Sequence, residues 1–118
     1  MNTLALSIQT VIAARMREVR QASGLSQRSL GVSMGLDEKR AGPYINRYEK
    51  GVHAPDWETT AKIAESLGVS IAYLVAETPE LAELIKAVQG YEPEQLRALA
   101  EEIRVRQGQP GAEPASEA

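Results

Sequence analysis

Cysteine is absent from the 118-residue chain, and histidine and tryptophan occur once each, as His53 and Trp57. Without cysteine there are no disulfide bridges, thiolate zinc sites or cysteine nucleophiles, and a lone histidine cannot build a metal site. No apolar run reaches about 18 residues, so we predict no membrane-spanning helix. The first residues lack a basic region followed by an apolar run, so we expect no secretory leader. These absences favour a cytoplasmic protein that needs no metal or other cofactor.

Catalytic motifs are missing as well. The sequence offers no arrangement typical of a nucleophile with its base, no glycine-rich loop that cradles phosphate and no set of metal ligands. The serines and glutamates have the pattern of ordinary helix caps and solvated helix faces. We therefore predict that the chain is not an enzyme.

Charge is divided unevenly along the chain, whose net charge is −3. Residues 20–50 contain six basic and three acidic side chains, a local charge of +3, whereas residues 77–118 contain four basic and nine acidic ones, a local charge of −5. Salt limits the reach of such charges to roughly 8–10 Å. A partner therefore responds to the local excess, so the overall acidity does not exclude a polyanion near residues 20–50.

Helical periodicity runs through the chain, and no segment alternates with the period of a strand, so the fold is predicted to be all-α. Five helices should form one domain over residues 8–76, with the third beginning at Pro43, where a missing N–H costs nothing. Residues 36–42 are interpreted as a polar connection, and Trp57 as a core or helix-staple residue. Two further helices should cover residues 77–106, between an N-terminal arm (1–7) and a disordered tail (107–118).

The resemblance to a known family rests on residues separated along this domain. They are Gly24-Leu25-Ser26-Gln27, Leu30, the run from Asn46 to Gly51, Pro55, Leu67-Gly68-Val69-Ser70 and Tyr73-Leu74. In this order and spacing the chain resembles the XRE family of phage-repressor-like helix-turn-helix regulators over residues 8–76. The resemblance implies a five-helix lambda-repressor-like domain that binds double-stranded DNA and regulates transcription as a repressor, with the third helix in the major groove.

The same resemblance implies roles for four residues. Gln27 matches a position that contacts the DNA backbone. Arg47 matches one that reads base edges, where arginine bonds bidentately to guanine; alternatively Arg47 contacts phosphate or is solvated. Arg20 and Glu49 match a structural ion pair. Most members have a turn before the third helix that is shorter by about four residues. The chain resembles the subset with the longer turn, and the extra segment here carries Lys39 and Arg40.

The remaining candidate contacts follow from side-chain chemistry. Asn46 suits adenine, while Arg40 and Tyr44 are candidates for base contacts, although Tyr44 alternatively only covers the turn. Ser26 either caps the second helix, contacts phosphate or does both. Arg28, Lys39 and Lys50 are the other candidate phosphate contacts, and His53 lies either near phosphate or in solvent.

Assembly and partners leave alternatives open. One recognition helix contacts few bases, so we expect a homodimer that reads two half-sites, with the two C-terminal helices either pairing between subunits or extending a monomer's core. An antitoxin that represses its own operon would instead use these helices to bind a protein partner, the toxin. A protein-interaction module without DNA binding is the third hypothesis.

Overall fold

The computed structural model describes residues 7–110, and this part of the chain contains helices but no strand. The prediction of an all-α fold is confirmed. None of the described helices is long and apolar enough to cross a membrane. The helices are α1 (Ile8–Ala22), α2 (Gln27–Ser33), α3 (Glu38–Glu49), α4 (Trp57–Leu67), α5 (Ile71–Leu74), α6 (Pro79–Ala87) and α7 (Pro93–Arg106).

Polar side chains fix where most of these helices begin. The residue before each of α1 to α6 is extended, and its side-chain oxygen accepts from the N–H three positions later. Each cap satisfies a backbone donor that has no partner within the helix. The capping residues are Ser7, Ser26, Asp37, Asp56, Ser70 and Thr78.

Helices α1 to α5 surround one hydrophobic core. Each contributes one large side chain that is fully buried, and these are Met16, Leu30, Ile45, Ile63 and Leu74. Helix α6 adds the buried Ala82 and the partly buried Ile85 to the same cluster. None of the 14 residues of α7 is buried. The core therefore positions α2 and α3 firmly, while α7 is held only weakly by the described residues.

The predicted start of α3 is wrong. The helix begins at Glu38, because the Asp37 carboxylate accepts from the Arg40 N–H at 2.9 Å and caps it there. Pro43 lies inside the helix, where its ring removes one hydrogen bond to the carbonyl of Lys39. Lys39 and Pro43 are both exposed, so water can satisfy that carbonyl.

The turn before α3 is consequently not lengthened, which corrects a second expectation. Only residues 34–37 separate α2 from α3. The additional residues, including Lys39 and Arg40, form the first turn of α3. The interpretation of residues 36–42 as a polar connection is therefore wrong from Glu38 onward. It arose because Gly42 and Pro43 together are typical of a helix boundary.

Trp57 also departs from expectation, since 72% of its surface is exposed. It is the first residue of α4, and the buried residue near this end of the helix is Pro55, two positions earlier. The indole therefore lies outside the core. The predicted arm and tail fall mostly on residues 1–6 and 111–118, outside the described residues.

Candidate nucleic-acid interface

Helix α3 has one buried and one exposed face. Ala41, Ile45 and Glu49 repeat every four residues and are buried. The opposite face comprises the exposed residues Arg40, Pro43, Arg47 and Lys50, at spacings of three and four, with Lys39 beside them. Ten residues of helix span about 15 Å. Over this length the face carries Lys39 and Arg40 at one end, Arg47 and Lys50 at the other, and the apolar ring of Pro43 between them.

The carboxylate of Glu49 lies at the centre of a hydrogen-bond cluster, here called the Glu49 cluster. Arg20 donates to it through Nε (2.6 Å) and Nη2 (2.9 Å), and Gln27 donates through Nε2 (3.0 Å). The Gln27 amide also donates to Asn46 Oδ1 at 3.2 Å. Arg20 further donates to the carbonyl of Leu25 at 2.8 Å. The cluster therefore joins α1, the start of α2 and the last turns of α3.

The structure places Arg20 and Glu49, the predicted ion pair, in a bidentate and largely buried contact. Their side chains are 11% and 3% exposed. Two charges in such a site need good geometry and further hydrogen bonds to offset lost hydration. The bonds from Gln27 and to Leu25 meet that need. The pair thus fixes α3 relative to α1.

Two interactions of α1 were not anticipated. Arg17 Nη2 donates to the carbonyl of Glu49 at 2.6 Å, near the C-terminal end of α3. Arg15 is buried, and its Nε donates to the carbonyl of Ala76 at 3.0 Å. Arg15 follows Val11 and precedes Val19 by four residues each, so its place on the apolar stripe of α1 was the signal in the sequence.

Close packing fixes the distance between α2 and α3. A Cβ atom added to Gly31 would lie 2.6 Å from Ala41 Cβ and 2.7 Å from its Cα. Real Cβ atoms do not approach so closely, so only glycine fits at this crossing. Neither residue was singled out from the sequence.

Most of the predicted DNA contacts lie on the surface that α2 and α3 share. Arg28, Lys39, Arg47 and Lys50 are exposed and form no ion pair with any described residue. Arg40 is also exposed, 3.7 Å from the Asp37 carboxylate. A pair so open to solvent contributes little, so Arg40 stays available. His53 is exposed in the loop after α3.

Other side chains predicted to contact DNA already interact with neighbouring residues of the protein. Gln27 and Asn46 are half-buried and bonded to one another. Ser26 Oγ accepts from the Ser29 N–H as the cap of α2. Tyr44 packs edge-on against Tyr48, with ring centroids 5.2 Å apart. Burial raises the pKa of Tyr48, with the neighbouring Tyr44 adding to the effect.

A family model described as a helix-turn-helix domain matches residues 11–77. The chain belongs to this helix-turn-helix family. The match covers most of α1 and all of α2 to α5, and therefore the whole surface formed by α2 and α3. Within the match, α2 and α3 are the two helices of the helix-turn-helix.

Among solved structures, the chain is similar to the one described as the crystal structure of transcriptional regulator BswR. The two are 36% identical, with a TM-score of 0.69. The likeness covers 79% of this chain and 92% of that one. This share is larger than residues 1–77 alone provide, so it extends into the helices after α5. No curated protein matched the chain.

Proposed function

We propose that the chain is a sequence-specific transcriptional regulator that binds double-stranded DNA as a homodimer, represses by occupying its site, and acts in the cytoplasm without catalytic activity. The observation that carries this proposal is the exposed basic face of α3 on a helix held by the Glu49 cluster. The family match and the likeness to a transcriptional regulator support it. A preorganised basic helix suits the major groove of DNA, which is about 12 Å wide.

Base reading is assigned to the exposed face of α3. Arg47 is the principal reader, because it is exposed on that face in the last turn of α3 and a guanidinium bonds bidentately to guanine. Arg40 enters the groove from the additional first turn of α3. Asn46 keeps its amide donors for adenine while its oxygen accepts from Gln27. Tyr44 adds contact at the edge of this face.

Phosphate contacts are assigned to the residues around this face. Arg28 on α2 and Lys39 and Lys50 at the two ends of α3 supply positive charge, and His53 lies in the adjoining loop. Ser26 and Gln27 lie at the start of α2. Gln27 can donate to a phosphate only by exchanging one of its present bonds to Asn46 or Glu49.

An Arg47→Ala variant tests base reading. Operators are first selected from random duplex DNA, and affinities are then measured by fluorescence anisotropy on the selected site and on single-base variants. We expect Arg47→Ala to lose discrimination at one base pair of each half-site, about 1–3 kcal/mol per contact, while retaining nonspecific binding. Arg47→Lys keeps the charge and should lose most of the same discrimination.

Lys62→Ala is the matched control, since Lys62 is an exposed cation on α4, away from this surface. It should bind as the unaltered protein does. Equal loss of affinity on every sequence for Arg47→Ala would contradict base reading, and failure to select any DNA would overturn the proposed function.

A further inference from the structure

Pro43 lies at the middle of the exposed face of α3. An α-helix turns by about 100° per residue, so this residue points almost directly away from the buried face of the helix. Arg40 precedes it by three residues and Arg47 follows it by four, so the three exposed side chains form one row along the helix. All residues of α3 are described, and among them Pro43 is the one exposed apolar side chain.

The folding of α3 does not account for this proline. Proline is the least favourable residue inside a helix, because it lacks the N–H and its ring crowds the preceding turn. At position 43 it removes the hydrogen bond to the carbonyl of Lys39, and its exposed ring adds nothing to the described core. A rigid apolar ring kept at such a cost on a basic surface is suited to a contact outside the protein.

The neighbours of Pro43 leave its ring without apolar company on this face. Tyr44 is partly buried against the core, and its ring packs edge-on against Tyr48 with the centroids 5.2 Å apart. Gly42, on the other side, has no side chain. The ring of Pro43 therefore stands by itself between the guanidinium groups of Arg40 and Arg47.

The major groove offers one apolar group that this ring can contact. Thymine presents its C5-methyl group there, whereas guanine, adenine and cytosine present hydrogen-bond acceptors or amino donors. The side chain of proline has neither a donor nor an acceptor. Covering a polar base edge with it would remove water without replacing the hydrogen bond, which costs free energy. The ring is therefore complementary to thymine and to no other base.

We propose that Pro43 is a specificity-determining residue, whose ring packs on the C5-methyl group of a thymine and so selects an A·T pair in each half-site. The inference rests on the proposed function and adds a base that none of the hydrogen-bonding side chains would select. Along the helix axis Pro43 lies about 6 Å from Arg47, and successive bases of a strand are about 3.4 Å apart. The thymine should therefore lie within about two base pairs of the guanine that Arg47 reads.

Replacing thymine by deoxyuridine tests the contact, because it removes the methyl group and leaves base pairing unchanged. Each thymine of the selected operator is replaced in turn, and the Kd of the unaltered protein is measured by fluorescence anisotropy. We expect the Kd to rise about fourfold for each half-site changed at the proposed position, the value that burial of one methyl group implies. Deoxyuridine in the DNA flanking the operator is the control and should leave the Kd unchanged.

Two substitutions assign the methyl effect to this side chain. Pro43→Ser and Pro43→Val both restore an N–H that can donate to the Lys39 carbonyl, so they change the helix backbone alike and differ in whether the side chain is apolar. Pro43→Ser should bind the thymine and deoxyuridine operators equally, whereas Pro43→Val should keep the preference for thymine. The ratio of the two Kd values is taken within one variant, so it does not depend on how much of that variant is folded.

The outcomes separate this inference from the proposed function. Binding that loses guanine discrimination in Arg47→Ala but is unaffected by every deoxyuridine would leave the proposed function standing and overturn the inference. A deoxyuridine penalty of equal size in Pro43→Ser would also overturn it, because another residue would then contact the methyl group. Failure to select any DNA would overturn both.

Discussion

At the scale of single residues, Glu49 connects more of the molecule than any neighbouring side chain of α3. Its carboxylate accepts from α1 and α2, and its own carbonyl accepts from Arg17. The side chain is almost fully buried. A carboxylate so placed is stabilised only while its donors remain, and its donors depend equally on it.

Removal of the Glu49 carboxylate should destabilise the fold. We expect Glu49→Ala to lower the free energy of unfolding by about 3–5 kcal/mol, because it leaves the Arg20 guanidinium buried without its partner. Urea titration followed by circular dichroism measures this loss. Glu65→Ala, on an exposed residue of α4, should change stability by about 0.5 kcal/mol or less. Equal effects of the two substitutions would show that the cluster contributes no stability.

Asp56 gives stability a dependence on pH. The backbone N–H of Thr59 is the first cause, and its side chain the second, of an Asp56 pKa below the usual 3.8. A carboxyl whose pKa is lower in the folded state stabilises the fold above the unfolded value and loses this contribution as the pH falls through the folded value.

Asp56→Asn should therefore be less stable than the unaltered chain at neutral pH, with the difference shrinking as the pH falls below 3.8. Asparagine also caps helices well, so the substitution isolates the charge. Urea midpoints across this pH range give the comparison, with Glu65→Gln as a control. A difference independent of pH would exclude the ionised cap as its source.

At the scale of elements, the position of the exposed face of α3 depends on how closely α2 approaches α3. Gly31 and Ala41 meet at their crossing, and no larger side chain fits in place of Gly31. Interiors are packed too densely to absorb an extra methyl group without movement. The small residues thus fix the position of the exposed face of α3 relative to Arg28.

Gly31→Ala should push α2 away from α3. We expect a loss of about 1–3 kcal/mol in unfolding free energy, typical of overpacking, together with weaker DNA binding. Gly42→Ala is the matched control, because a Cβ there meets only Arg28 Cβ at 3.9 Å. It should be neutral or stabilising, as alanine favours helix over glycine. Unchanged stability of Gly31→Ala would show that the contact between Gly31 and Ala41 does not limit the approach of α2 to α3.

The sequence predicted elements better than it predicted their boundaries and contacts. Apolar periodicity, which is a local signal, predicted five helices over residues 8–76 and two over residues 77–106. The start of α3 was missed because Gly42 and Pro43 resemble a boundary, while the Asp37 cap that overrides them is recognisable only once Glu38 to Ala41 are known to be helical. The Gly31 contact and the bond from Arg15 to Ala76 depend on tertiary packing, which periodicity does not contain.

At the scale of the whole molecule, the two C-terminal helices differ in how closely they pack against the core. Arg15 donates a hydrogen bond to the carbonyl of Ala76, just before α6, and Ala82 of α6 is buried in the core. Beyond Gly90, α7 has no buried residue. Within the described residues, α6 therefore belongs to the core, whereas α7 contributes little to it.

Shortening the chain should reveal this division. A chain ending at Gly90 should melt within a few degrees of the unaltered chain, since none of the residues of α7 is buried. A chain ending at Ala76 also loses Ala82 and Ile85 from the core and should melt at a clearly lower temperature. Calorimetry at equal concentrations compares them. Equal melting of the two shortened chains would remove α6 from the core.

Trp57, the only tryptophan, determines what the intrinsic fluorescence of the protein can measure. Its indole is already largely hydrated in the folded state, so its emission should change little on unfolding and is a poor signal for stability. The same exposure makes it a sensitive label for contact. Any molecule that covers the start of α4, near Pro55 and Ile8, should shift the emission to shorter wavelength without an added dye.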